Sequence, residues 1–133
     1  MKVLLDTSAA YALTDRRDPY HVSARAYVRT PGLALVTASA IVAETYTIVR
    51  RRIHYRAAIE WVESLRVGGH VTVEHVGLAE DAAIWGILRE YAGVPLSYAD
   101  ASVIALGRAT GIKEVFSFDT DFAACGLRLV PGG

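Results

Sequence analysis

The sequence predicts an α/β domain built on a largely parallel sheet, and three observations carry that prediction. Short apolar runs rich in Val, Leu and Phe alternate with longer segments whose apolar residues recur at helical spacing, which is the pattern of successive βα units. Turn chemistry separates the segments: Pro31-Gly32, Gly68-Gly69, and Gly93 with Val94 and Pro95. The chain has 133 residues, 53% hydrophobic and 21% charged, so it is long enough for one core and too apolar to be disordered. No repeat, low-complexity stretch or linker interrupts it, and residues 1–133 read as a single domain.

Each element follows from its local chemistry. Residues 2–5 form a first buried strand. Asp6, Thr7 and Ser8 then offer side-chain oxygens that end a strand and cap a helix over 8–14. Pro19 opens a second helix reaching residue 29, and Pro31-Gly32 turns the chain into a second strand, 33–36. Thr37 or Ser39 is expected to cap a helix running through residue 51. The next helix, 55–66, places Ile59, Val62 and Leu65 on one stripe and stops at Gly68-Gly69. A third strand covers 71–76. In the following helix, 78–91, Glu80 and Asp81 occupy the first turn, where the helix dipole favours negative charge.

The segment VPLSYADASVIALGRATG, 94–111, is unusual. Ser97 is an N-cap and Asp100 stands three residues later, a variant of the capping-box pattern. From Tyr98 the run is apolar on nearly all sides, the mark of a buried helix, and Gly111 is its stop. A fourth strand, 113–118, a short helical turn, 119–124, and a fifth strand, 127–130, complete the chain.

Composition narrows the function classes. No apolar run approaches the about 20 residues of a membrane span, and MKVLLDTSAA lacks the long apolar stretch of a secretion signal. A single cysteine, Cys125, excludes an internal disulfide and a Cys-based zinc site. The expectation is a cytoplasmic protein without a membrane partner. The 14 basic and 14 acidic residues cancel, which argues against nucleic-acid binding by bulk charge. Twelve of the basic residues are Arg, so local phosphate contacts stay open.

Four acids stand where a site belongs. In parallel α/β sheets, ligands bind beyond the carboxyl ends of the strands. Asp6 closes the first strand and Asp119 the fourth, with Asp121 two residues on. Asp100 shares a helical face with Val103 and Ile104, and Glu44 shares one with Ala40, Ile41, Thr47 and Ile48. Each alone has a structural explanation, as a cap or as the partner of a buried Arg. Together they suggest a shared site. Clustered carboxylates raise one another's pKa, and a divalent cation removes that penalty. An all-oxygen ligand set suits Mg²⁺ or Mn²⁺, which points to phosphoryl chemistry. Thr7 and Ser117 are candidates for orienting the acids. His21, His54, His70 and His75 show no ligand spacing and read as surface or loop residues. Tyr11, Tyr20, Tyr27, Trp61 and Trp85 read as core or dimer packing rather than as base-stacking groups.

LLDTSAAYAL, the Glu in IVAE, SYADASVIALG and VFSFDTDF occur in the order expected of a PIN domain, and the chain resembles most closely the VapC-like toxin ribonucleases. The resemblance spans nearly the whole chain. It implies a three-layer fold with a central parallel sheet of about five strands. It also implies an Mg²⁺- or Mn²⁺-dependent endoribonuclease, the toxin of a type II toxin–antitoxin pair. The family's acids carry over to Asp6, Glu44, Asp100 and Asp119, with Asp121 at an auxiliary position and Ser117 at a small hydroxyl position near the metal. Hydrolysis would leave a 5′-phosphate and a 3′-hydroxyl. A homodimer and a small antitoxin partner are implied as well. Arg51, seven residues after Glu44, shares that helical face and is a candidate for an RNA phosphate. A haloacid-dehalogenase-type phosphatase would need a second Asp where Ser8 stands, and a receiver domain would need an acidic pair at the first strand and an Asp after the third. The remaining alternative is a catalytically silent PIN-like scaffold that binds RNA or protein.

Overall fold

The structure is a computed structural model that describes residues 1–132. Five strands form one sheet: β1 (Lys2–Leu5), β2 (Ala34–Ala38), β3 (Val71–Glu74), β4 (Glu114–Phe116) and β5 (Arg128–Val130). Their spatial order is β3-β2-β1-β4-β5, and every neighbouring pair is parallel. Among the described residues, seven helices connect them: α1 (Thr7–Thr14), α2 (His21–Tyr27), α3 (Ser39–Arg52), α4 (Tyr55–Val67), α5 (Leu78–Glu90), α6 (Tyr98–Thr110) and α7 (Asp121–Ala124). The expected α/β class, strand number and parallel sense all hold.

The sheet is buried on both sides, which explains why its central strand is apolar at successive positions rather than alternating with polar residues. Val3 and Leu5 of β1 pack with Ala9, Ala10, Ala12, Ala24 and Phe116 on one face. Leu4, between them, points to the opposite face and joins Ile41, Ile84, Val103, Ile104 and Val115. The period of two along the strand thus feeds two cores and gives three layers. Each fully buried Leu, Ile or Phe contributes about 1.5–3 kcal/mol by leaving water.

Helix α6 is the buried helix that its composition predicts. It is inaccessible at Ala101, Val103 and Ile104, and Gly107 lets it lie against the sheet. A Cβ at Gly107 would stand 3.1 Å from the Leu4 side chain and 3.0 Å from the Ile112 carbonyl. Gly111 ends the helix in the left-handed conformation, at φ 76°, as expected.

The start of α3 departs from expectation. Neither Thr37 nor Ser39 caps it, and the N-cap is Ala38. Thr37 belongs to β2, where its hydroxyl donates to the Leu5 carbonyl at 2.8 Å and ties β2 to β1. The Ser39 hydroxyl accepts from the Val76 backbone N–H. Tertiary hydrogen bonds have claimed both hydroxyls that local chemistry would spend on the helix end.

Strand order fixes where the cleft opens. From β1 the chain builds outward through β2 and β3, then crosses over to β4 and β5 on the other side. The reversal falls between β1 and β4, the switch point where such sheets open a crevice at their carboxyl ends. Among the described residues, no helix is long and apolar enough to cross a membrane.

Candidate active site

Pairing of Leu5 with Phe116 brings Asp6, one residue beyond β1, beside Ser117, one residue beyond β4. The Asp6 backbone N–H extends the ladder to the Phe116 carbonyl. Asp6 is also the N-cap of α1, accepting from the Ser8 backbone N–H at 3.2 Å. One oxygen takes every side-chain bond: Oδ2 accepts from the Ser8 and Ser117 hydroxyls, each at 2.8 Å. Oδ1 is buried and has no hydrogen-bond partner. Asp6 is 2% exposed. Burial raises its pKa, with the Ser117 and Ser8 bonds pulling the other way.

Asp100 answers the question its position in α6 raised by filling two roles. It closes a capping box with Ser97: Oδ2 accepts from the Ser97 N–H at 2.8 Å, and the Ser97 hydroxyl accepts from the Asp100 N–H at 3.0 Å. It also lines the cavity that holds Asp6. Burial raises its pKa, and the charges of Asp6 and Asp119 add to the rise. The sheet therefore gathers carboxylates that repel one another.

Asp119 and Glu44 complete the lining. Asp119 is held from both sides: its N–H donates to the Ser117 hydroxyl, and its Oδ1 accepts from the Asp121 N–H, each at 3.0 Å. Glu44 reaches the cavity from α3. Asp6, Glu44, Asp100 and Asp119 thus border one space of about 320 Å³, within the roughly 300–1,000 Å³ of ligand pockets. Asp121, at the first position of α7, does not line it.

Thr7 and Ser117 differ from each other. The Ser117 hydroxyl bonds to Asp6, whereas the Thr7 hydroxyl is buried with no hydrogen-bond partner. Ser8 bonds to Asp6 too, because an N-cap side chain bonds to the second residue of its helix, and this brings the Ser8 hydroxyl against Asp6. Ser8 also accepts from the Phe118 N–H at 3.0 Å, clasping the loop after β4.

Arg51 is exposed and lies outside the cavity lining, whereas Arg52 belongs to it. The inward stripe of α3 is Ile41, Thr45 and Val49, and Arg52 continues that stripe. Its guanidinium folds over the Tyr11 ring, 5.2 Å from the centroid. Asp18 and Tyr20 also line the cavity, and sequence reasoning assigned neither to the site. Tyr20 is 49% exposed and does not belong to the core. Trp85 is equally exposed, on α5, while Tyr11 is buried. His21 is half-buried, with Nδ1 2.7 Å from the Ala12 carbonyl, and His54 caps α4 through Nδ1.

No three His, Cys, Asp or Glu among the described residues are drawn tightly enough together to hold a metal ion unaided. The donor set nonetheless fits a hard divalent cation. It is all oxygen, it is mutually repulsive, and it includes a buried carboxylate oxygen, Asp6 Oδ1, that lacks a partner. An open acid set leaves room for the waters that magnesium retains.

The sequence profile of the PIN domain matches residues 3–126. The protein named 23S rRNA-specific endonuclease VapC20 of Mycobacterium tuberculosis is 31% identical over 125 residues, covering 94% of this chain and 95% of that protein. The crystal structure of Mycobacterium tuberculosis VapC20, described as a sarcin–ricin loop cleaving toxin, superposes with a TM-score of 0.86 over 95% of this chain and 96% of that one. VapBC2 from Rickettsia felis, crystallised with a DNA fragment from its promoter, shares the fold at a TM-score of 0.69 and 14% identity, over 97% of each chain. With the β3-β2-β1-β4-β5 sheet and the acids at its switch point, these matches make the chain a member of the PIN domain family.

Proposed function

We propose that this protein is a metal-dependent endoribonuclease, the toxin of a toxin–antitoxin pair, acting on a loop of ribosomal RNA. The observation that carries the reading is the convergence of Asp6, Glu44, Asp100 and Asp119 on one cavity at the switch point of the sheet. The four acids outnumber the one basic group in the lining, Arg52, and their charges repel RNA, so their chemistry calls for a metal cation first. Asp6, Asp100 and Asp119 would hold an Mg²⁺ or Mn²⁺ ion, with Glu44 facing them from α3. When bound, that ion supplies a water acidified toward neutrality and compensates charge on the scissile phosphate.

The chain's own groups do the positioning. Ser8 and Ser117 fix Asp6, Ser97 fixes Asp100, and the Asp121 N–H fixes Asp119. Arg52 is the cation in the lining and is suited to a phosphate oxygen. The likeness to VapC20 over nearly its full length supports ribosomal RNA as the substrate class. Likeness to VapC chains supports an antitoxin partner that covers the acids. For a second copy of this chain, Leu78 and Trp85 on α5 offer exposed apolar surface, at 92% and 49%.

The test is incubation of the purified protein with a sarcin–ricin stem-loop RNA in Mn²⁺ or Mg²⁺. The expected result is one cut, with a 5′-phosphate and a 3′-hydroxyl, abolished by EDTA and by Asp119→Asn. RNA that stays intact under a protein that has bound Mn²⁺ would favour the silent scaffold.

A further inference from the structure

The acids account for the phosphate end of a substrate and leave one wall of the cavity unexplained. That wall is aromatic. Tyr20 and Phe118 both line the cavity with the acids, and their rings are stacked in parallel, 4.4 Å between centroids and 7° between planes. Phe118 stands in the chain between Ser117, which holds Asp6, and Asp119 itself. Behind it, Phe118 meets the inaccessible Phe116 edge-on at 6.1 Å. A row of aromatic rings therefore runs from the core, through Phe116 and Phe118, to Tyr20 at the surface.

Tyr20 differs from the other rings of this row. Phe118 covers one face, yet the residue keeps 49% of its surface exposed. An exposed tyrosine would ordinarily sample several rotamers. This one is constrained from both ends. The Asp18 carboxylate accepts from the Tyr20 N–H at 2.8 Å, forming a local turn. The next residue, His21, is anchored to the Ala12 carbonyl at 2.7 Å. The stack on Phe118 fixes the ring plane. A flat, oriented π surface beside phosphate-directed acids is a preorganised platform, and a tyrosine gives up little conformational freedom to provide it.

We infer that Tyr20, backed by Phe118, is a base-stacking subsite that takes an unpaired nucleobase next to the scissile phosphate. The inference rests on the ribonuclease reading above and narrows its substrate class. The substrate is an RNA loop with a base splayed out of its stack, because a base inside a continuous helix has both faces already covered. Stacking tolerates any base, so Tyr20 contributes affinity and register rather than base identity.

The test uses eight-nucleotide single-stranded RNAs with 2-aminopurine at successive positions, whose fluorescence falls on stacking, and 5′-fluorescein versions for anisotropy, all with Ca²⁺ present. Wild type, Tyr20→Phe and Tyr20→Leu are compared after thermal melts show that each is folded. At one position, wild type and Tyr20→Phe should quench the probe. Tyr20→Leu, which keeps apolar cover over Phe118 without a π face, should bind roughly tenfold to a hundredfold more weakly. An abasic nucleotide at that position should erase the difference between wild type and Tyr20→Leu. The inference is overturned if Tyr20→Leu binds and quenches as wild type does, if the abasic RNA preserves the difference, or if wild type binds none of the RNAs. Cleavage of the sarcin–ricin stem-loop, run in parallel, separates the two readings. Cutting that ignores Tyr20 removes the subsite alone, and Tyr20-dependent quenching without cutting removes the nuclease alone.

Discussion

The Ser117 hydroxyl donates to Asp6 Oδ2 at 2.8 Å, joining the ends of two adjacent parallel strands across the switch point of the sheet. Together with Ser8 it concentrates the carboxylate's bonds on one oxygen and leaves Oδ1 buried and unpaired. Removing a group that orients a metal ligand costs about tenfold to a hundredfold in metal affinity. Ser117→Ala should weaken Mn²⁺ binding by roughly that factor while the fold persists, and calorimetric titration with circular dichroism checks both.

Burial disfavours the charged form of Asp6. Its folded pKa lies above the ordinary value of 3.8, so the folded state binds more protons than the unfolded one. Unfolding free energy therefore falls as pH rises from that value through the raised pKa. In Asp6→Asn this slope disappears. Between about pH 4 and about pH 7 in EDTA, the mutant should gain stability relative to wild type. Adding Mn²⁺ should reverse the order, since only wild type has the ligand. Thermal melts at both pH values decide.

Ser97 serves the helix and the site at once. Ser97→Ala removes the hydroxyl that accepts from the Asp100 N–H, and losing an N-cap side chain costs about 1 kcal/mol. The melting temperature should fall by about 3–5 °C. Mn²⁺ affinity should fall less than in Ser117→Ala, because the bond that holds the Asp100 carboxylate comes from the backbone N–H at position 97, which Ala keeps.

Arg52 and Arg51 give a paired test of phase. Arg52 lines the acid cavity and Arg51 does not. Arg52→Ala should weaken binding of a short RNA and lower the slope of log affinity against log salt by about one. Arg51→Ala should change the slope less. Anisotropy titrations at several salt concentrations measure it, and equal effects would place the phosphate path along the outer face of α3.

Much of this architecture was legible because it depends on local chemistry. The apolar run at 2–5, the run at 113–118 that contains β4, the Ser97–Asp100 capping box and the Gly111 stop need only neighbours in sequence. The four acids could be picked out because a carboxylate at a strand end, or on an apolar helix face, conflicts with its surroundings. What escaped was set by distant contacts. Thr37 and Ser39 read as caps until Leu5 and Val76 claimed their hydroxyls. Arg51 and Arg52 are indistinguishable until the burial of Ile41, Thr45 and Val49 sets the phase of α3. Tyr20 read as core or dimer packing by helical spacing, but it precedes the first residue of α2, where spacing along a helix face has no bearing. The strand order itself, with β1 between β2 and β4, leaves no local mark.

If the four acids exist to hold a divalent cation, the charge of Asp100 is needed to bind it. Asp100→Asn keeps an oxygen for the Ser97 N–H, so the cap survives while the charge is lost. Calorimetric titration of wild type and Asp100→Asn with Mn²⁺ is the measurement. Wild type should bind, and the mutant should bind at least about tenfold more weakly, near 1.4 kcal/mol. Equal affinities, or no binding by wild type, would reduce Asp100 to a helix cap and leave the four acids without a metal-binding role.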